Sequence, residues 1–220
     1  IEADPTDLDA RSEFERLTEL TGAWEELANT YEKLLQTQPD ILGNRDLAAV
    51  LAKTYDKYLD DPRRALASYW RLYELEPSEI ETLEQIERLT TLLSDWPQLV
   101  RALVIKADLL LGDEERAGCW RRIGEARRDM LDDVAGATDA YERALELNPI
   151  NGFTVDCLLG LLEGRGVPER RVELLVRRVE LCEDEEVDRK YELLVEAANV
   201  LVEELKEPAR AIDLLTSALA

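Results

Sequence analysis

The chain has 220 residues and a formal net charge of −22, from 49 acidic side chains against 27 basic ones, with no histidine at all. So negative a balance works against DNA, RNA or an anionic membrane surface as a partner, since each calls for clustered cations. The missing histidine removes the commonest general base and the commonest metal ligand, and with them every Ser-His or Cys-His arrangement.

Taken in order, the chain predicts helices throughout. Ala, Leu, Glu and Arg dominate, and the 10 glycines and 8 prolines lie mostly at turns. Residues 1–4 are expected to be a helical stub, the tail of a preceding repeat. Six helical hairpins then follow at about 8–39, 44–77, 79–113, 115–149, 152–184 and 186–220. Within them apolar residues recur at helical spacing, as in Ala65, Leu66, Tyr69, Leu72 and Tyr73, or Ala137, Ala140, Tyr141, Ala144 and Leu145. Asp61 followed by Pro62 predicts a capped helix start, because proline's missing N–H costs nothing at the first helical position. Asp95 and Glu207 predict poorer versions of the same start.

The hairpins also keep a longer beat. Pro5, Pro77 and Pro149 stand 72 residues apart and close the phrases IEADPTD, LELEPSE and LELNPIN. Leu59, Leu131 and Leu205 open three related phrases, LDDPRRALASYWRL, LDDVAGATDAYERAL and LKEPARAIDLLTSAL. Trp24 and Trp96 head a second type of hairpin, whose third copy, GVPERRVELL, comes about a residue late and lacks the tryptophan. The L-D-D-P type carries one extra residue before its turn. A fixed period of this kind predicts stacked copies, each burying its apolar face against the next.

Residues 115–149 read Trp120-x2-Ile123-Gly124, then Ala137-x3-Tyr141-x2-Ala144, then Pro149. That pattern resembles the tetratricopeptide repeat (TPR). The matching positions are Leu51, Ala52, Tyr55, Ala65, Tyr69 and Pro77 in the second hairpin. They are Phe14, Leu27, Tyr31 and Pro39 in the first, and Ala197, Ala198, Leu201, Ala211, Leu215 and Ala218 in the last. Glu15 and Glu87 stand where the family places a small residue. The resemblance covers nearly the whole chain and implies an all-α fold: a right-handed α-solenoid of six antiparallel TPR-like helical hairpins, one array over 1–220, cut from a longer repeat protein.

It also implies a function. In such arrays the first helix of each hairpin lines a concave groove. On this chain the cations mapped to that groove are Arg16, Lys53, Lys57, Arg88, Arg121, Arg128 and Arg165, the first six being the expected partner-binding residues, and Asp56, Glu81, Glu84 and Glu125 map there too. Arg63, Arg71 and Arg143 belong to the second helices, outside it. The expectation is a non-catalytic scaffold, not an enzyme, holding a protein or peptide in the groove and needing no cofactor and no metal. The alternative is a regulatory or substrate-recruiting segment of a larger enzyme. Asparagines of the carboxylate clamp found in some relatives are missing here, which argues against chaperone-tail binding. The last helix carries an apolar series, Ala211, Ile212, Leu214, Leu215, Ala218 and Leu219, that offers a surface for self-association.

Other features have plainer readings. Cys119, Cys157 and Cys182 are an odd, widely spaced set, expected as buried free thiols in a reducing compartment such as the cytoplasm. Ala52, Gly124, Gly160 and Ala198 are expected at close helix crossings, and Trp70 is a candidate for partial exposure at a contact surface. No apolar run approaches the ~20 residues of a membrane-spanning helix.

Overall fold

In a computed structural model, residues 7–37, 43–183 and 185–218 are described. The expected stub at 1–4, Pro5, Pro39, Asp184 and Leu219 lie outside them. The described residues hold twelve α-helices and no strand. Six of them belong to a compact unit over Ile1–Leu109. These are α1 (Leu8–Thr21), α2 (Trp24–Thr37), α3 (Asn44–Lys57), α4 (Pro62–Leu75), α5 (Ile80–Leu92) and α6 (Trp96–Leu109). A second unit over Leu110–Ala220 holds α7 (Asp113–Asp129), α8 (Val134–Leu147), α9 (Gly152–Leu162), α10 (Pro168–Glu180), α11 (Val187–Asn199) and α12 (Pro208–Ala218). Each consecutive pair is an antiparallel helical hairpin, and the fourth begins at Asp113, ahead of the expected 115.

Three turns show how the repeat is built. Asp60, Asp132 and Lys206 adopt the left-handed conformation, with φ of 50°, 52° and 61°. At the first turn the Leu59 amide donates to the Thr54 carbonyl at 3.1 Å, and the Asp61 amide donates to Tyr55 at 2.9 Å. Leu131 and Asp133 repeat those bonds to Ala126 and Arg127 at 3.2 and 2.8 Å, as do Leu205 and Glu207 to Val200 and Leu201 at 3.1 and 2.8 Å. These closures reach one residue further back than an ordinary Schellman stop, which Ser94 and Asp95 make after α5. The extra residue of the L-D-D-P hairpins is absorbed here, as a widened turn. In the last copy the widening spreads into a π-helical turn, Val200–Glu204.

The aspartates then start the next helix. The Asp61 carboxylate accepts from the Arg64 amide at 2.9 Å, and Asp133 accepts from Gly136 at the same distance. Asp95 does so at 3.3 Å, the looser cap its sequence predicts.

Packing follows the predicted stripes. Ala65 and Ala137, 72 residues apart, are both 0 % exposed. In the first unit, Leu27, Tyr31, Leu51, Tyr55, Leu83 and Ile86 share one continuous apolar core. In the second, α8 to α10 close around Tyr141, Val155 and Leu158, and α10 to α12 around Val172, Leu175 and Leu201. Gly124 is needed where it stands: a Cβ there would lie 2.9 Å from the Tyr141 ring. Glu15, at the equivalent small-residue position of the first hairpin, instead accepts from the Tyr31 hydroxyl at 2.7 Å.

The close crossing at Gly160 and the partial exposure of Trp70 are not found, and Cys157, expected as a buried thiol, is half-buried. A Cβ on Gly160 would meet nothing within 4 Å, so that glycine faces open space and makes no close crossing. Trp70 is only 8 % exposed, with Arg101 4.2 Å above its ring and Tyr73 edge-on, so its larger ring is drawn into the core. In the last helix Ala211 is buried while Ile212 is exposed.

The two glycines should respond to alanine with opposite signs. Gly160→Ala is expected to stabilise by ~0.5–1 kcal/mol, the ordinary helix gain. Gly124→Ala is expected to destabilise, because overpacking of ~1–3 kcal/mol exceeds that gain. Urea denaturation of both variants checks the order.

Asp61→Ala should cost ~0.5–2 kcal/mol through the lost cap. The Arg64 amide, and then its guanidinium, hold the Asp61 carboxyl below its ordinary value. A lowered folded value means the contribution is full above the ordinary carboxylate range and fades as pH falls through the lowered one. Denaturation at successive pH values should therefore show wild type and variant converging below about pH 4.

Candidate functional site

In the first unit, α3, α4 and the start of α5 enclose an open cleft of about 330 Å³. One wall is a single face of α3: Arg45, Ala49, Lys53, Asp56 and Lys57. Tyr69 and Leu72 of α4 form the floor, and Glu79, Glu81, Thr82 and Gln85 the far wall. The spacing of the α3 residues at three and four brings them to one side of the helix, opposite the buried Leu47, Leu51 and Tyr55. Burial, with Asp56 adding to it, pushes the half-buried Tyr69 phenol above its ordinary value, so it stands in the cleft as a neutral hydroxyl.

The charges of the cleft are unequally matched. Arg45 is held by Glu76 and, at 2.7 Å, by Glu79. Asp56 is held by Arg88 of α5 at 2.5 Å. Lys53 and Lys57, one helical turn apart on the exposed wall, form no ion pair with any described residue.

The six expected binding residues therefore separate. Lys53 and Lys57 line the cleft, and Arg88 touches it through Asp56. Arg16, on α1, is paired with Glu13 at 2.7 Å and is not part of the cleft. Arg121 and Arg128 belong to α7, in the second unit. Arg121 is half-buried and makes no ion pair with a described residue, whereas Arg128 pairs with its neighbour Asp129 at 2.7 Å. The second-helix cations are mostly structural. Arg71 donates to the Leu35 carbonyl, and Arg143 covers the Trp120 ring at 4.5 Å.

The second unit has a counterpart at the same place in the repeat. A cleft of about 320 Å³ is lined by Arg128, Asp156, Cys157, Gly160 and Leu161. Displaced by 72, those positions are Asp56, Glu84, Gln85, Arg88 and Leu89 of the first unit. Where Asp56 meets Arg88, Arg128 faces a glycine. Its guanidinium turns instead to the Cys157 sulfur, with Nη1 at 3.4 Å.

Sequence reasoning missed Arg45, Tyr69 and Cys157 as site residues. The period itself carried the signal for the last, since Cys157 repeats Gln85 of a groove-lining helix. Tyr69 reads as core from its own apolar stripe, as its copy Tyr141 does, and only Tyr141 is fully buried. Among the described residues no group of carboxylates and thiols could hold a metal ion, and no helix is long and apolar enough to cross a membrane.

No known family profile and no curated protein matches the chain. Solved structures with a similar arrangement of helices include MamA, at 20% identity and a TM-score of 0.44, over 79% of this chain and 95% of that one. PilF of Pseudomonas aeruginosa aligns at 17% identity and 0.45, covering 92% and 87%. YrrB, described as a TPR protein with an unusual peptide-binding site, aligns at 14% and 0.43, covering 84% and 99%. At such values nothing about ligands transfers to this chain.

Lysine acylation should read out the uneven pairing. Burial alone would lower the Lys106 ammonium, but Glu87 and Glu84, at 3.4 and 3.2 Å, outweigh it and hold it above its ordinary value. Less free amine is then present near neutrality. Lys53 and Lys57 should acylate first and Lys106 last, as peptide mass spectrometry after brief treatment with an active ester would show.

Proposed function

We propose that the chain is a non-catalytic interaction scaffold, and that the cleft between α3 and α5 holds an acidic segment of a protein or peptide partner. One observation carries this reading: Lys53 and Lys57 are uncompensated on the cleft wall of a protein whose net charge is −22. The neighbouring cations Arg45 and Arg88 already have Glu79 and Asp56 as partners, so the charge left over in the cleft is two lysines on one short face against Glu81 on the other wall. The floor of Tyr69 and Leu72 supplies an apolar contact and a hydroxyl donor beneath it. A cleft built on packed helices is preorganised, so a bound segment bears most of the ordering cost.

The two lysines would act by steering and registration more than by raw affinity. Long-range repulsion from the rest of the chain is screened within about 10 Å at ~0.1 M salt, whereas close lysine–carboxylate contacts persist.

Fluorescence anisotropy with a labelled Glu/Asp-rich peptide, against a Gln/Asn-substituted peptide of the same length, tests the proposal. The acidic peptide should bind more tightly, and Lys53→Glu/Lys57→Glu should weaken it about tenfold, as expected for two partly screened charges. Asp56→Asn should strengthen it by releasing Arg88. Arg16→Glu, outside the cleft, should change nothing. Equal binding by the double reversal, or an equal loss with Arg16→Glu, would defeat the assignment to this cleft.

A further inference from the structure

Cys157 occupies an environment unlike those of the other two cysteines. Its thiol is half-buried on the wall of the second unit's cleft, open to solvent because Gly160 leaves that wall bare. Arg128 Nη1 lies 3.4 Å from the sulfur, while Asp129 engages the Nε and Nη2 of the same guanidinium. The neighbouring Asp156 carboxylate is drawn off by Arg178 at 3.1 Å and, more weakly, by Arg189 at 3.9 Å. The charge of Asp156 is thereby offset.

A second observation concerns the same sulfur. Tyr141 is 0 % exposed, and its buried hydroxyl has the Cys157 sulfur beside it, a weak partner that falls short of hydrogen-bond geometry. Burial is the main influence raising the phenol, and the Cys157 sulfur beside it is the next, so the hydroxyl keeps its proton. A buried hydroxyl without a partner costs on the order of 1–3 kcal/mol. Sulfur is a poor acceptor for either Tyr141 or Arg128, whereas one oxygen atom attached to it would serve both.

We propose that Cys157 is a site of reversible oxidation by hydrogen peroxide, with Tyr141 and Arg128 positioned to hold the oxygen of the sulfenic acid product. The thiol first releases its proton to solvent. The thiolate sulfur then attacks one peroxide oxygen, forming the S–O bond as the O–O bond breaks. The leaving hydroxide takes up a proton and departs as water. Sulfur loses two electrons and the peroxide gains them. A small thiol reverses the step: it attacks the oxidised sulfur, expels water and gives a mixed disulfide, which a second thiol reduces. The site belongs to the second unit and does not depend on the peptide-binding proposal.

The other cysteines are internal controls. Cys182 has a similar arginine contact, Arg178 Nη1 at 3.4 Å, but is 9 % exposed and donates its S–H to the Arg178 carbonyl. Cys119 is 7 % exposed. If an adjacent guanidinium alone sufficed, Cys182 would react as Cys157 does.

The test treats the full chain with limiting hydrogen peroxide, traps sulfenic acid with dimedone and quantifies the three cysteine peptides by mass spectrometry. Cys157 should be trapped at least about tenfold faster than Cys119 or Cys182, with prior addition of a small thiol erasing the signal. Tyr141→Phe removes only the hydroxyl and should shorten the lifetime of the oxidised form several-fold. Arg128→Met should slow its formation. Thermal unfolding by circular dichroism checks that both variants remain folded, and the comparison among wild-type cysteines needs no variant. Uniform trapping across the cysteines, an inert Cys157, or a rate and lifetime indifferent to both substitutions would overturn the proposal.

Discussion

A helix of about fourteen residues is marginal alone, so every element here depends on burying its stripe against neighbours, and the widened turns determine which stripe is presented. An α-helix advances about 100° per residue. Deleting the extra residue before Asp61 or Asp133 would therefore swing the apolar face of α4 or α8 away from its partner. The left-handed Asp60 and Asp132 make the reversal possible, and the adjacent aspartates cap the helix that follows. Aspartate tolerates that backbone better than most side chains. Lys206 performs the same reversal without that advantage, and there the strain extends into the π-helical turn.

The energetics assign different tasks to the apolar and ionic contacts. A fully buried leucine such as Leu83 or Leu158 stabilises by ~1.5–3 kcal/mol. An exposed ion pair contributes ~0–1 kcal/mol. Yet a recurrent set of arginines reaches back one hairpin: Arg64 to Glu25, Arg170 to Glu142 and Arg210 to Glu169. Each stands two residues after the proline that opens its helix. Such pairs fix the lateral register of neighbouring second helices while adding little to the stability that the core provides. Their consequence for function is subtractive, because they consume cations and leave the few unpaired ones conspicuous.

That subtraction explains what the sequence could and could not reveal. Helix spans, turn types and caps were readable because they depend on residues near one another in the chain. The residues facing the first cleft were partly readable, since Lys53 and Lys57 repeat on one helical face. Which cations remain free was not, because Arg16 and Arg88 differ from the lysines only through partners, Glu13 and Asp56, chosen by side-chain reach. Arg71 and Arg143 look like surface charges and prove to be a carbonyl donor and a lid over Trp120. Trp70 and Tyr69 are adjacent on α4, and periodicity alone did not decide which of two neighbouring aromatics turns inward.

The two clefts show how one repeat position acquires two chemistries. Ala52 and Gly124 are equivalent, and so are Tyr69 and Tyr141. Opposite glycine the tyrosine ring closes to where a Cβ would be 2.9 Å away, and it is wholly buried. In the copy with alanine the ring stays half-buried and becomes the floor of a cleft. The charge pattern inverts at the next turn: Asp56 bound by Arg88 becomes Arg128 facing Gly160. With no side chain at 160 to engage it, Arg128 settles on Cys157, the replacement for Gln85. The backbone scaffold need not change for any of this. A methyl group removed at one crossing, a guanidinium removed at the opposite wall, and the exchanges of Asp56 for Arg128 and Gln85 for Cys157 turn an aromatic-floored cleft of mixed charge into one that presents a thiol between an arginine and a buried hydroxyl.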